Sequence, residues 1–371
     1  MLETLAAVIR AEISARGPMT FRRFMELALY HEAFGYYASG RARIGRGGDF
    51  FTNVSVGPLF GRLLARQLAE MWGILGAPGN FTIVEQGAHR GDLAADVLGG
   101  LQGMFPDCFE AARYLIVEPF EKLAAWQRER LGNFGEKVQW ARTIAEVRTE
   151  AGVHFSNELL DAFPVHLVTW TGDEWRERMV GFSGDSFAFT DGPRTSGELG
   201  DACRRMPGPL PPGYVTEVNP SLRNWTAEIA ASIQRGFVLA IDYGFSREEY
   251  CAPWRSSGTL SAYAAHRREP DPLARPGELD LTAHVEFDSL IDAATSAGFR
   301  TAGFTDQHHF MVGMGALHFA DGANSTERRA FQTLMHPEMM GRAFKAIAFS
   351  KGIDSIPALA GFRFARTPQE K

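Results

Sequence analysis

From Phe81 to Ser156 short apolar runs alternate with helical stretches, an order that a parallel sheet covered on both faces accommodates and few other folds do. The spacing predicts strands over Phe81–Glu85, Arg113–Glu118, Val138–Ala141 and Gly152–Ser156. Helices over Asp92–Leu101, Phe120–Leu131 and Ile144–Arg148 separate them. In an open sheet of this α/β kind, ligands bind in the crevice beyond the carboxyl ends of the strands, near the point where strand order reverses. The residues at the strand ends are therefore the first place to look for chemistry.

The first strand runs into a turn, Gly87-Ala-His-Arg-Gly91, and Asp92 opens a helix behind it. Such a turn aims backbone N–H groups and the positive end of a helix at a ligand, and glycine permits the close approach. Many α/β proteins also make this turn and bind nothing, so the motif alone leaves both readings open. The second strand ends at Glu118. A carboxylate there can accept from both hydroxyls of a ribose, as the acidic residue of dinucleotide folds does; the alternative is a solvated residue at a strand end. The fourth strand ends in Asn157-Glu158-Leu-Leu-Asp161-Ala-Phe-Pro. Read as one helical turn, this segment puts Glu158 and Asp161 on the same side, beside an apolar wall, where they would attract a cation. A helix cap made by Asn157 or Glu158 is the plainer alternative. The fifth strand, Phe237–Asp242, lands on Tyr243-Gly244, and Tyr263, His266 and His284 follow as candidate acid–base or binding groups.

Around this core the sequence places four segments. Residues 1–76 form a helical arm, with Thr20 capping a helix over Phe21–Tyr30 and an irregular, aromatic-rich stretch that carries Asp49. That stretch is either packing or a lid. Residues 77–164 are the first part of the core. Residues 165–213 change period, to alternating strands over Val165–Thr171, Glu174–Phe182 and Ser186–Thr190, and so form an inserted antiparallel region closed by a proline-rich linker. Residues 214–371 complete the core, with a 245–280 loop longer than a connection requires, a helix capped by Thr282, and His308-His309 on a strand with rings to opposite sides.

Composition removes several classes. A net charge of -6 opposes non-specific nucleic-acid binding. Three dispersed cysteines, Cys108, Cys203 and Cys251, offer neither a disulfide framework nor a metal knuckle, and no metal site is expected. There is no GxSxG elbow, no phosphate loop and no long apolar span, so no membrane role is expected. The first residues lack a basic leader region, and a cytoplasmic location is expected. Hydride transfer with a nicotinamide cofactor stays compatible with the fold.

Several segments, in order, give the chain a wider resemblance. They are Gly17-Pro-Met-Thr20, Phe34-Gly-Tyr-Tyr37, Gly48-Asp-Phe-Phe-Thr52, Glu85 with Gly87 and Gly91, Asn157 to Val165, Glu217-Val-Asn219, Asp242-Tyr-Gly244, Gly258-Thr-Leu260 with Tyr263 and His266, and Asp280 to Val285. On these the chain resembles the MidA family, the mitochondrial complex I assembly methyltransferases and their bacterial relatives. The resemblance implies a Rossmann-like class I methyltransferase sheet that binds S-adenosyl-L-methionine and N-methylates an arginine of a protein substrate, a respiratory complex I subunit in the mitochondrial case. It assigns Glu85, Gly87, Gly91, Glu118 and Asp49 to the cofactor, and Asn157, Glu158, Asp161 and His266 to catalysis. The family's turn is usually Glu-x-Gly-x-Gly-x-Gly, and this chain has His89 at the middle glycine; the segment after Thr52 also reads Asn53-Val-Ser55 where a glutamate is usual. His89 motivates the alternative of a cofactor-binding assembly factor or scaffold without turnover.

Overall fold

The computed structural model describes residues 4–40, 53–264, 267–319, 324–336, 340–355 and 358–365. The chain forms two compact units, each assembled from separated stretches. One comprises Thr52–Leu159, Trp225–Tyr243 and Ile291–Lys371; the other comprises Met1–Phe51, Leu160–Asn224 and Gly244–Leu290.

The first unit is built on a seven-strand path: β1 (Phe81–Gln86), β2 (Ala112–Val117), β3 (Val138–Ala141), β4 (Thr149–Asn157), β5 (Ile233–Phe245), β6 (Arg300–Asp306) and β7 (Phe344–Lys351). Their order across the sheet is β3-β2-β1-β4-β5-β7-β6. The first five run parallel, and β7 is antiparallel to both its neighbours. The chain steps outward from β1 to β3 and then returns to lay β4 beside β1, pairing Gln86 with Ser156. The reversal therefore falls between β1 and β4, where such sheets bind ligands. Val84, Ile116, Val153, Phe155, Leu239 and Ile347 are buried, as expected for strands covered on both faces. Helices α1 (Leu59–Ile74), α2 (Asp92–Met104) and α3 (Glu121–Leu131) belong to this unit, together with α4 (Gln307–His318).

His308 and His309 are a correction to the sequence reading. They stand in the first turn of α4, whose N-cap is Asp306; its carboxylate accepts from the His309 backbone N–H at 2.9 Å. The Asp306 cap starts a helix there, so the two rings do not point to opposite sides of a strand. His309 Nδ1 also lies 2.7 Å from the same Asp306 oxygen, and His308 Nδ1 is 3.0 Å from the carbonyl of Met335.

In the second unit helices Leu5–Arg16 and Phe21–Tyr30 bury Leu5, Ile9, Phe21 and Phe24 in a cluster with Leu167, Val180 and Leu281. Thr20 caps the second helix, accepting from Arg23 N–H at 3.2 Å. Strands His166–Trp170, Trp175–Ser183 and Ser186–Arg194 form the expected antiparallel hairpins. Tyr214–Val218 pairs with His166–Trp170, so this sheet draws on residues beyond the proline-rich linker. Residues Ser261–Ala264, Arg267–Glu269 and Asp280–Thr282 make a small three-stranded sheet inside what the sequence presents as a loop. Thr282 is thus in a strand and caps no helix. The helix begins at Phe287, and Glu286 serves its first N–H groups, accepting from Asp288 at 2.9 Å. Glu217 is buried and accepts from Thr259 N–H and Leu260 N–H, both at 2.9 Å, and from the Tyr250 hydroxyl at 2.8 Å. A Cβ on Gly258 would lie 2.2 Å from the same carboxylate, so only glycine fits there.

Candidate functional site

The turn after β1 carries three left-handed residues in alternation, Gly87 at φ 85°, His89 at φ 47° and Gly91 at φ 82°. Those are the three glycine positions of the family's turn, and the geometry explains them: each needs a conformation that a Cβ resists. His89 adopts it despite its side chain, and histidine is among the residues found there more often than most. The turn's path is therefore kept. Val in place of His89, with branching at Cβ, is expected to lower stability by about 1–2 kcal/mol. Gly in its place should stay within about 1 kcal/mol of the parent. Urea denaturation of both variants checks this, and equal midpoints for parent and His89→Val would show that the backbone is not strained.

Glu118 follows β2 and is 7% exposed. Its Oε1 accepts from Phe120 N–H at 3.0 Å and its Oε2 from Gln127 Nε2 at 3.0 Å. A carboxylate has about four acceptor sites, so the two bonds leave room for a pair of vicinal hydroxyls. Burial pushes its carboxyl up to about 7, against the pull of those two hydrogen bonds. Glu85 sits lower in β1, 2% exposed, and accepts from the Tyr114 hydroxyl at 2.6 Å. Burial raises it to about 7 as well, partly offset by Tyr114.

At the end of β4 the backbone leaves the strand through Glu158, which is left-handed at φ 54°. A non-glycine residue held this way costs of order 1–3 kcal/mol and persists where its surroundings over-determine it, commonly at functional sites. Here the surroundings are explicit. Glu158 N–H donates to the carbonyl of Ile241 at 2.9 Å. Asp242, fully buried at the end of β5, accepts from Leu159 N–H at 3.0 Å and from Tyr243 N–H at 2.9 Å. The Glu158 carboxylate accepts from Asn157 Nδ2 at 3.0 Å and from Asn53 N–H at 3.3 Å. Asn53 Nδ2 donates to Asn157 Oδ1 at 3.1 Å, and Gln307 Nε2 donates to Asn53 Oδ1 at 2.8 Å. A row of amides, fully buried at Asn53 and Gln307 and partly buried at Asn157, thus orients one carboxylate. Leu159 closes the row against the glycine turn, its Cδ1 3.1 Å from where a Cβ on Gly87 would be.

The expected helical turn over 157–161 does not form. With Glu158 left-handed and a tight turn only over Leu160–Ala162, the argument that put Glu158 and Asp161 on one helix face is lost. Asp161 is buried in the second unit, where burial raises its carboxyl to about 7, and its backbone carbonyl accepts from Ala283 N–H at 2.9 Å. In that unit the Tyr37 hydroxyl donates to Asp280 at 2.8 Å. Tyr263 lies on the strand Ser261–Ala264, and His284 N–H donates to the Thr259 hydroxyl at 3.0 Å. Asp49 and His266 lie outside the described residues. Asn53, Gln127 and Gln307 escaped the sequence reading as site residues.

The raised carboxyls fix a pH dependence of stability. Ordinary values are 4.5 for Glu85 and Glu118 and 3.8 for Asp161, against about 7 for each in the fold. Between these limits the folded chain keeps protons that the unfolded chain has released, so stability falls as pH rises through the window. His154 opposes this, since burial lowers it from 6.5 to about 3 and its contribution is lost as pH falls through that range. Three groups outweigh one, and the melting temperature is expected to drop between about pH 4.5 and about pH 7 and to level above it. Glu85→Gln should flatten that slope in a thermal-unfolding series; an unchanged slope would remove Glu85 from the account.

A reversal between β1 and β4, a left-handed glycine-type turn and an acidic residue after β2 are the parts of a class I S-adenosyl-L-methionine-dependent methyltransferase. Residues 63–305 match the family model described as "Putative S-adenosyl-L-methionine-dependent methyltransferase", and the chain belongs to that family. A crystal structure of a relative from Burkholderia thailandensis bound to S-adenosyl-homocysteine superposes with a TM-score of 0.88 at 36% identity, covering 98% of this chain and 95% of that one. The chain is 28% identical over 385 residues to a Drosophila melanogaster protein named "Protein arginine methyltransferase NDUFAF7 homolog, mitochondrial", covering 94% of this chain and 85% of that one. Its Xenopus tropicalis counterpart is 27% identical over 391 residues, with 95% and 87% covered. The cofactor is S-adenosyl-L-methionine, and the family sets aside the nicotinamide alternative.

The relatives' names overturn the expected cytoplasmic location, because both are named mitochondrial. Glu12, in the stretch behind that expectation, belongs to a helix in which Leu5, Ile9 and Ile13 are buried, and it pairs with Arg23 at 3.2 Å. Among the described residues no helix is long and apolar enough to cross a membrane.

Proposed function

We propose that this chain transfers a methyl group from S-adenosyl-L-methionine to a guanidinium nitrogen of an arginine in a protein substrate, a subunit of respiratory complex I. The observation that carries the reading is Glu158, left-handed in its backbone at the carboxyl edge of the sheet, with its carboxylate held by Asn157 and Asn53. Two names of relatives, each a protein arginine methyltransferase, support the acceptor class.

Glu118 and the turn Gly87–Gly91 hold the cofactor, which supplies an electrophilic methyl on a sulfonium. The turn fits, because Gly87 and Gly91 present no side chain to an approaching ligand, and Glu118 retains acceptor capacity for the ribose hydroxyls. Glu158 pairs with the planar guanidinium through two N–H groups and fixes which nitrogen faces the methyl. As that nitrogen gains its methyl carbon it must lose a proton, and Glu158 accepts it. Asn53 and Asn157 keep the carboxylate from rotating, so orientation costs little at the moment of reaction. The alternative of a scaffold without turnover rests on the side chain of His89, a residue at which the turn keeps its left-handed path.

The test is incubation with isotopically labelled S-adenosyl-L-methionine and purified complex I subunits, read by peptide mass spectrometry. Label on arginine is expected. Label confined to lysine, to carboxyl groups or to small molecules, with S-adenosyl-homocysteine still bound, would refute the acceptor.

A further inference from the structure

We propose that Gln127 is a positioning residue for the cofactor carboxylate, locking Glu118 and the glycine turn to each other through one side-chain amide. The inference rests on reading Glu118 as the ribose acceptor. Gln127 stands on α3 in the buried stripe Leu123, Ala124, Gln127, Leu131, and is itself fully buried. An amide on such a face is costly unless every polar atom is paired. Here the pairing also fixes which way the amide points. Trp140 Nε1 can only donate, and it lies 3.0 Å from Gln127 Oε1. The carbonyl of His89 can only accept, and it lies 2.8 Å from Gln127 Nε2. The second Nε2 hydrogen is thereby aimed at Glu118 Oε2, at 3.0 Å.

Two consequences follow for binding. The donor stabilises the ionised carboxylate, the form that accepts from both ribose hydroxyls. The same nitrogen holds His89, the strained residue of the turn, at its carbonyl. The charged or titratable side chains on the surrounding elements are His89 and Arg90 on the turn, Glu121, Lys122, Arg128, Glu129 and Arg130 on α3, Glu85 and Tyr114 on β1 and β2, and Arg142 beyond β3. Glu118 forms no ion pair among the described residues, so no charged partner substitutes for Gln127.

The experiment is calorimetric titration of the full chain with S-adenosyl-homocysteine across pH, for the parent, Gln127→Met, Trp140→Phe and Glu118→Ala. Gln127→Met is expected to weaken binding about tenfold at neutral pH. It should also move the pH at which affinity half-rises upward by about one unit, while kcat at saturating S-adenosyl-L-methionine changes less than about threefold. Trp140→Phe frees the amide to rotate and should shift the same midpoint in the same direction by less, so it carries the test if Gln127→Met does not fold. A lower melting temperature with an unmoved pH midpoint in either variant would mean that Gln127 serves the core alone, and would overturn the proposal. Should Glu118→Ala bind as the parent does, the ribose reading itself fails. A loss in Glu118→Ala with parent-like binding in both other variants overturns only the role given to Gln127.

Discussion

Glu118→Ala is expected to weaken binding of S-adenosyl-L-methionine and its demethylated product at least about a hundredfold, because two charge-assisted hydrogen bonds to vicinal hydroxyls are lost together. The side chain is 7% exposed, so water replaces it poorly. The parent's affinity should also depend on pH. Its carboxyl titrates at about 7, and the ionised form accepts from both hydroxyls whereas the protonated form spares one oxygen as a donor. Affinity therefore rises with pH through that value and levels above it. Glu118→Gln should bind with an intermediate constant and a flat profile. Titration at about pH 5.5 and about pH 8.5 separates these cases. An alanine variant within threefold of the parent would remove Glu118 from the ribose.

The second large effect is expected at Glu158. Glu158→Gln should lower kcat by about 10²–10⁴ while leaving cofactor affinity nearly as it was, because the amide neither neutralises a guanidinium nor takes its proton. Glu158→Gly goes further, since it also relieves the left-handed backbone at φ 54°. Turnover is lost, yet stability should hold or rise by up to about 1 kcal/mol. Activity lost without stability lost is what a residue strained for function predicts and a packing residue does not. Asn53→Ala should cost a smaller factor of about ten, since Asn157 still holds the carboxylate. Steady-state kinetics beside urea denaturation decide the matter: parent-like turnover in Glu158→Gln would leave the proposed acceptor group without its carboxylate.

Much of the first unit was legible because its signals are local. Phe81 to Gln86, the turn at Gly87 and the helix from Asp92 appear where periodicity and glycine place them. Thr20 as a cap needs only its own neighbours. The failures share another cause. His308 and His309 read as strand residues, whereas the Asp306 cap makes them the first turn of a helix. Glu158 and Asp161 were put on one helix face, since nothing in Asn157-Glu158-Leu159 announces a left-handed residue without glycine. Asn53 and Gln307 meet over a sequence separation of 254 residues, which no local pattern carries. Gln127 did leave a trace, as a lone amide in the apolar stripe Leu123, Ala124, Gln127, Leu131; a buried polar side chain among hydrophobes is a question about its partners.

Glu217 bears on how the long 245–280 segment can move. Its buried carboxylate grips Thr259 and Leu260 by their backbone N–H groups, with Tyr250 as a third donor. A segment pinned near Thr259 does not move as one piece. Local unfolding there must proceed on either side of that anchor, and hydrogen–deuterium exchange should find slow amides at Thr259 and Leu260 in the midst of faster ones.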